Sequence, residues 1–192
     1  LFRSSRNDLS KLLDFLDANI RNGEWHISFN GLGFDSQITE ALLRNEVKLS
    51  QMTGEEVAAF LYEKAQDVIG RQSQGEFLEF SEKNLSIKQV DVFKLNHWDN
   101  PAKRSSLKWI QYSMDWYNIQ EMPIHHSSAI ETQEEIDMIT GYCINDVKST
   151  KQILHISKEQ VALRRTLTKE YNIPLYSASE PRIARSEEHT SE

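Results

Sequence analysis

Cysteine is nearly absent: Cys143 is the single one in 192 residues. One thiol closes no internal disulfide, so a reducing, cytoplasmic compartment is the expected setting. Long apolar runs are missing too. The longest, Val57 to Tyr62, has six residues, against the roughly 20 that a membrane-crossing helix needs. The first residues do not read as a charged-then-apolar leader. Positive charge is not in excess: 22 Lys and Arg stand against 29 Asp and Glu, a net charge of -7. That balance argues against passive nucleic-acid binding, which works by basic side chains displacing counterions. It leaves room for an enzyme whose carboxylates hold cations. What the chain does have is 39% hydrophobic and 27% charged residues, enough for a core, which excludes disorder for most of it. The length suits one domain, or one domain and a piece of another.

Both ends read as cut. The chain opens Leu1-Phe2-Arg3, and its last eight residues, 185–192, resemble the translation of a sequencing-adapter read-through. They are set aside from fold reasoning. Without them 21 basic and 26 acidic residues remain, so the balance stays acidic.

Hydrophobic periodicity divides the rest. Leu9, Leu12, Leu13, Leu16 and Ile20 recur at helical spacing behind Ser5, Asn7 and Asp8. After Asn22-Gly23, Trp25, Ile27 and Phe29 alternate with His26, Ser28 and Asn30, the period of a strand. Gly31-Leu32-Gly33 turns the chain, and Ile38, Ala41 and Leu42 resume a helix. Thr53 with Glu56 forms a capping pair for a helix to Ile69, which Gly70 to Gly75 should break. A second strand is expected in Ile87 to Leu95. His97 to Ser106 reads as loop, a short helix begins at Ser105 or Ser106, and Met122 to Ser128 is loop again. Glu131 to Tyr171 is helical by composition, with Asn145 the expected break, and Pro174 ends it. Alternating strands and long helices predict an α/β domain.

Two aspartates stand where chemistry collects. Asp35 follows the first strand and two glycines at the start of a helix, the edge where α/β sheets bind ligands; the alternative is that Asp35 or Ser36 merely caps that helix. Gly31 to Ser36 also matches a dinucleotide fingerprint in part, but Ser36 replaces the third glycine. Tyr142 and Asp146 lie four residues apart, one turn on one helix face. Ile139, Cys143, Asp146, Ile153 and Leu154 would share an apolar stripe, and a carboxylate there must be protonated, paired or bound to a metal. Asn145 or Asp146 could instead cap a second helix. The remaining candidates read as structural. Trp98, Trp109 and Trp116 are expected to pack, His125-His126 to lie in a loop, Lys103-Arg104 and Arg164-Arg165 to be solvated, and Cys143 to be a buried small hydrophobe.

Taken together, Asn30-Gly31-Leu32-Gly33-Phe34-Asp35 and Tyr142-Cys143-Ile144-Asn145-Asp146 resemble the second and third motifs of the DEDD-type 3'-to-5' exonucleases. These motifs are Asn-x(2-3)-Phe/Tyr-Asp and Tyr-x-x-x-Asp. Ser106-Leu107-Lys108, Met122-Pro123-Ile124 and Asn145-Asp146-Val147 with Thr150 are most similar to the proofreading domain of phage-like family B DNA polymerases. The resemblance implies an N-terminally truncated ribonuclease H-like exonuclease fold over residues 1–175, with 176–184 beginning a linker toward a polymerase portion. It implies that Asp35 and Asp146 are metal ligands, that Tyr142 orients the attacking water, and that Asn30 and Phe34 contact the 3' end of a DNA primer. It implies two ions, Mg²⁺ or Mn²⁺, acting on a phosphodiester, and, for a phage protein, the cytoplasm of a bacterial host. A sister group carries a histidine base five residues before its aspartate; here that position is Gly141.

One departure stands out. The family's first motif, Asp-x-Glu, occurs nowhere in this sequence, and the expectation is that it lies upstream, so that the 192 residues degrade 3' ends very poorly by themselves. A non-catalytic ribonuclease H-like module that binds DNA or protein, and a free-standing RNA-degrading exonuclease, are the competing readings.

Overall fold

The computed structural model describes residues 7–96, 98, 105–125, 128, 130–179, 181, 183 and 184. The expected loop at Lys103-Arg104, His97, His126 and the segment 185–192 lie outside the described residues. The chain is mixed α/β and mostly helical, and it divides into two compact units, Leu1–Val90 and Asp91–Glu192.

In the first unit, α1 (Leu9–Asn22) buries Leu9, Leu13 and Leu16, one residue per turn of a single face. Gly23 ends it in the left-handed region at φ 67°, its N–H bonded to the Ile20 carbonyl while the Glu24 N–H bonds to that of Asn19. Strand β1 (Trp25–Ser28) follows, then α2 (Asp35–Arg44), the single turn α3 (Glu46–Leu49) and α4 (Gly54–Gln74). Thr53 and Glu56 form the expected capping box at the start of α4. The helix runs on past Ile69 through Gly70 to Gln74. A glycine inside a helix costs only about 1 kcal/mol, which the flanking turns of a 21-residue helix absorb. A 3₁₀ turn (Glu82–Asn84) leads into β2 (Lys88–Asp91), which pairs with β1 in a two-stranded parallel sheet. The second strand is thus shorter than its expected span, because Asp91 caps the helical turn α5 (Val92–Leu95) by accepting from the Phe93 N–H at 3.1 Å.

The core of this unit gathers Leu9, Leu13, Leu16, Leu42, Leu49, Val57 and Ile87. Period 2 holds along β1, but Trp25 and Ile27 lie on the solvent side while His26 and Ser28 are half-buried. Two buried polar side chains fix α2. Gln37 donates to the carbonyls of Leu32 and Phe80 and accepts from the Phe80 N–H. Glu40 accepts from the Ser86 N–H at 2.7 Å, the Ser86 hydroxyl at 3.0 Å and Arg44 at 2.8 Å. These bonds supply partners that burial would otherwise remove, and they hold the start of α2 still.

In the second unit α5 is followed by α6 (Leu107–Ser113), α7 (Gln133–Ile156) and α8 (Lys158–Tyr171). Ser106 caps α6 and Thr132 caps α7 with a second capping box. The long helical stretch breaks at Ser157, not at Asn145. Ser157 is buried, and its hydroxyl is engaged by the Asn96 side chain at 3.0 Å. Asn172 in the left-handed region at φ 52° ends α8 ahead of Pro174. Arg164, expected on a solvated face, is instead fully buried. Its guanidinium donates to the carbonyls of Ala178, Gln160 and Leu95 at 2.9, 3.1 and 2.9 Å, so backbone oxygens do what water does outside. Arg165 is exposed. Leu175, Ala178 and Ile183 pack with Leu167 in a small cluster. No helix among the described residues is long and apolar enough to cross a membrane.

Candidate functional site

Each unit holds one of the two motifs. In the first, the turn between β1 and α2 is built by Asn30, whose φ of 60° places it in the left-handed region that asparagine tolerates better than most residues. Its carbonyl accepts from the Gly33 and Phe34 N–H groups, both at 3.1 Å, and the Gly31 carbonyl accepts from Ser36 at 2.8 Å. Gly31 is a steric necessity, whereas a side chain on Gly33 would meet only movable side-chain ends. A Cβ on Gly31 would lie 2.2 Å from Ser28 Oγ, and one on Gly33 would lie 2.6 Å from Asn30 Oδ1. Asn30 and Gly31 therefore have a local reason to be where they are, and half-buried Phe34 precedes α2 with no side-chain cap bond.

Asp35 is the first residue of α2, where the N–H groups of Ser36, Gln37 and Ile38 are already bonded to the carbonyls of Gly31 and Phe34. Protein atoms crowding its carboxyl raise its pKa from the ordinary value, and the bond to its own backbone N–H offsets part of that rise. The residue as a whole remains exposed, so water softens the effect. The alternative reading of Ser36 as the helix cap fails: the Ser36 hydroxyl is buried and makes no hydrogen bond.

In the second unit Tyr142 and Asp146 occupy successive turns of α7 and are both half-buried. The Tyr142 phenol is pushed up to about 12 by burial first, then by the Asp146 charge and the hydrogen bond to it. The phenol thus keeps its proton at any physiological pH and is a donor, not a base. Asp146 Oδ1 also accepts from Gln111 Nε2 at 3.1 Å. No Lys, Arg or His pairs with Asp146 among the described residues. Its donors among the described residues, Tyr142 and Gln111, are neutral. The residue before it, Asn145, is buried and ties the turn down, accepting from Trp116 Nε1 at 3.0 Å and donating to the Asn118 carbonyl at 2.9 Å.

The face that α7 buries is therefore Asn145, Ser149, Thr150 and Ile153. Cys143, expected in a buried apolar stripe, is exposed. Trp109, expected to pack, is 61% exposed and stacks on Tyr112 with ring centroids 6.2 Å apart. Trp116 and Trp98 are half-buried. His125 lies outside any helix or strand, as expected.

Sequence reasoning missed Gln111. The available signal was an uncharged polar residue four positions after Leu107 on a helix whose neighbouring Ile110 is buried.

A hard divalent ion suits donors of this kind, carboxylate oxygens without a competing cation. Among the described residues, however, no three His, Cys, Asp or Glu side chains gather into a cluster that could hold a metal ion. Comparison of the chain with protein-family models, with curated proteins and with solved structures gave no match.

Proposed function

We propose that the chain is part of a metal-dependent 3'-to-5' DNA exonuclease of ribonuclease H-like fold, the proofreading portion of a phage-like family B DNA polymerase. The observation that carries this reading is the Tyr142 and Asp146 pair on one face of α7, with a carboxylate that among the described residues is held by neutral donors and has no Lys, Arg or His partner. Asp35, crowded at the start of α2, is the second carboxylate in the motif order of that family.

Asp146 and Asp35 are the metal ligands in this reading, and Mg²⁺ or Mn²⁺ is the cofactor. Two such ions, when bound, lower the pKa of a water and stabilise the leaving oxygen of a phosphodiester. Tyr142 contributes by donating its hydrogen bond. With a pKa near 12 it cannot take a proton at neutral pH, so it orients the attacking water and leaves deprotonation to other groups. Asn30 and Phe34 lie beside Asp35 and face the terminal nucleotide of single-stranded or frayed DNA.

The test uses the polypeptide encoded by the whole reading frame. Its sequence is expected to carry Asp-x-Glu ahead of Asn30, and the protein to shorten a labelled single-stranded DNA from its 3' end with Mg²⁺. Tyr142→Phe should cost about 10²-fold in rate, the usual loss on removing one positioned donor. A full reading frame without Asp-x-Glu sinks the catalytic reading.

One observation favours a second reading, a non-catalytic ribonuclease H-like module that binds DNA or a protein: the missing third carboxylate among the described residues. Such a module would bind single-stranded DNA equally well with and without divalent ions.

A further inference from the structure

Helix α7 turns one side to its own unit and the other to solvent. Asn145, Ser149, Thr150 and Ile153 are buried, and Tyr142 and Asp146 project from that same side. Along the opposite side, on successive turns, run Asp137, Gly141, Ile144, Val147, Lys148 and Lys151, all of them exposed.

Three features of this seam have no cause within the chain. Ile144 and Val147, at its middle, are 49% and 69% exposed. Gly141 lies inside the helix, where alanine is the more stable residue, although an added Cβ would meet nothing within 4 Å. Asp137 at one end, and Lys148 and Lys151 at the other, form no ion pair among the described residues. The partner that Asp137 does have, Gln133 Nε2, is neutral.

The seam is complementary to itself. A second copy laid antiparallel, with a two-fold axis at Ile144, sets residues equally distant from that point opposite one another. Ile144 then packs on its counterpart, Val147 fills the space over Gly141, and Asp137 meets Lys151 at both ends. A parallel pairing would instead set Asp137 against Asp137 and Lys151 against Lys151. The charges select the antiparallel arrangement.

We propose that this chain forms an antiparallel homodimer through the solvent side of α7, from Asp137 to Lys151. Burial of the apolar centre supplies the attraction, and the two charge pairs fix direction and register more than affinity. The seam is about 21 Å long, which places it at the small end of specific interfaces, so the dimer is weak and reversible. It does not depend on the exonuclease reading: Tyr142 and Asp146 lie on the other side of the helix, outside the contact.

Sedimentation velocity of the whole chain across a concentration series tests this. The chain should pass from monomer to dimer below about 1 mM, and Ile144→Glu, which sets two like charges at the axis, should keep it monomeric throughout. Asp137→Lys should weaken the dimer by about 10-fold or more, because each end then holds facing lysines. Adding Lys151→Asp to that variant exchanges the pairs and should restore the parent affinity. Gly141→Ala separates the interface from the fold. At concentrations where the chain is monomeric it should raise Tm, as alanine does inside a helix, while its dimer is weaker than the parent's. All these positions are exposed, so the variants keep the parent fold, which circular dichroism checks. A chain that stays monomeric to about 1 mM, or a dimer unchanged by Ile144→Glu, overturns the proposal. So does a charge exchange that fails to restore what Asp137→Lys removes.

Discussion

The indole Nε1 of Trp116 donates to Asn145 Oδ1 at 3.0 Å, directly beside the candidate ligand Asp146. Together with the bond from Asn145 Nδ2 to the Asn118 carbonyl, it pins the loop after α6 to the middle of α7. Asn145→Ala should cost about 1–2 kcal/mol, since it leaves the half-buried Trp116 N–H and Asn118 carbonyl without their partner. Urea unfolding reads this directly. A loss of only a few tenths would mean that water replaces both bonds.

The same pair marks where sequence reasoning stops. Local signals suffice where the cause is local: the leucines of α1, the Thr53 and Glu56 box, the Ser106 cap and the glycine turn before α2. Asn145 reads as a helix break because asparagine competes with helical backbone bonds. It stays in the helix because its side chain is satisfied by Trp116 and Asn118, 29 and 27 residues earlier. Arg164 reads as solvated for a similar reason, since nothing local announces that three backbone carbonyls will surround it. The motif residues of the site are legible in the sequence. Their support from Gln111 and Ser149 is not, because a lone polar residue on a short helix points to no particular partner 35 or 38 residues away.

Tyr142 offers a titration test. In a chain labelled at tyrosine Cζ, its resonance should shift with a midpoint of about 12, against an ordinary value of 10.0. Asp146→Asn should lower that midpoint by removing a negative charge and an acceptor, yet leave it above the ordinary value because burial, the largest cause, remains. The folded chain holds this proton more tightly than the unfolded one. Its contribution to stability is therefore whole below pH 10.0 and is lost as pH rises through about 12.

Asp35 predicts the opposite situation at neutral pH. Its raised pKa means that the folded chain prefers the protonated acid. That contribution is whole below the ordinary value of 3.8 and is lost as pH rises through the higher folded pKa. At pH 7 the ionised carboxylate thus weighs against the fold. Asp35→Asn should raise Tm modestly at neutral pH, and the gain should vanish near pH 3. A drop in Tm at neutral pH would show that the bond to its own backbone N–H outweighs the crowding.

Gly31 should not tolerate a side chain. An added Cβ meets Ser28 Oγ at 2.2 Å and Ser28 Cβ at 2.3 Å. The second of these is fixed to the backbone and cannot swing aside. Gly31→Ala should therefore cost about 1–3 kcal/mol, as overpacking does. Gly33→Ala meets only the ends of the Asn30 and Gln72 side chains and should cost less. Thermal unfolding of the two variants side by side checks the order.

The central claim is that Asp146 and Asp35 are divalent-metal ligands, and Mn²⁺ titration followed by amide nuclear magnetic resonance tests it most directly. Paramagnetic broadening should appear first at the residues flanking Asp146 and at those flanking Asp35, and Asp146→Asn should abolish it around residue 146. Broadening confined to other acidic positions, such as Glu134 and Glu135 at the start of α7, with the amides around both aspartates unchanged, would contradict the account.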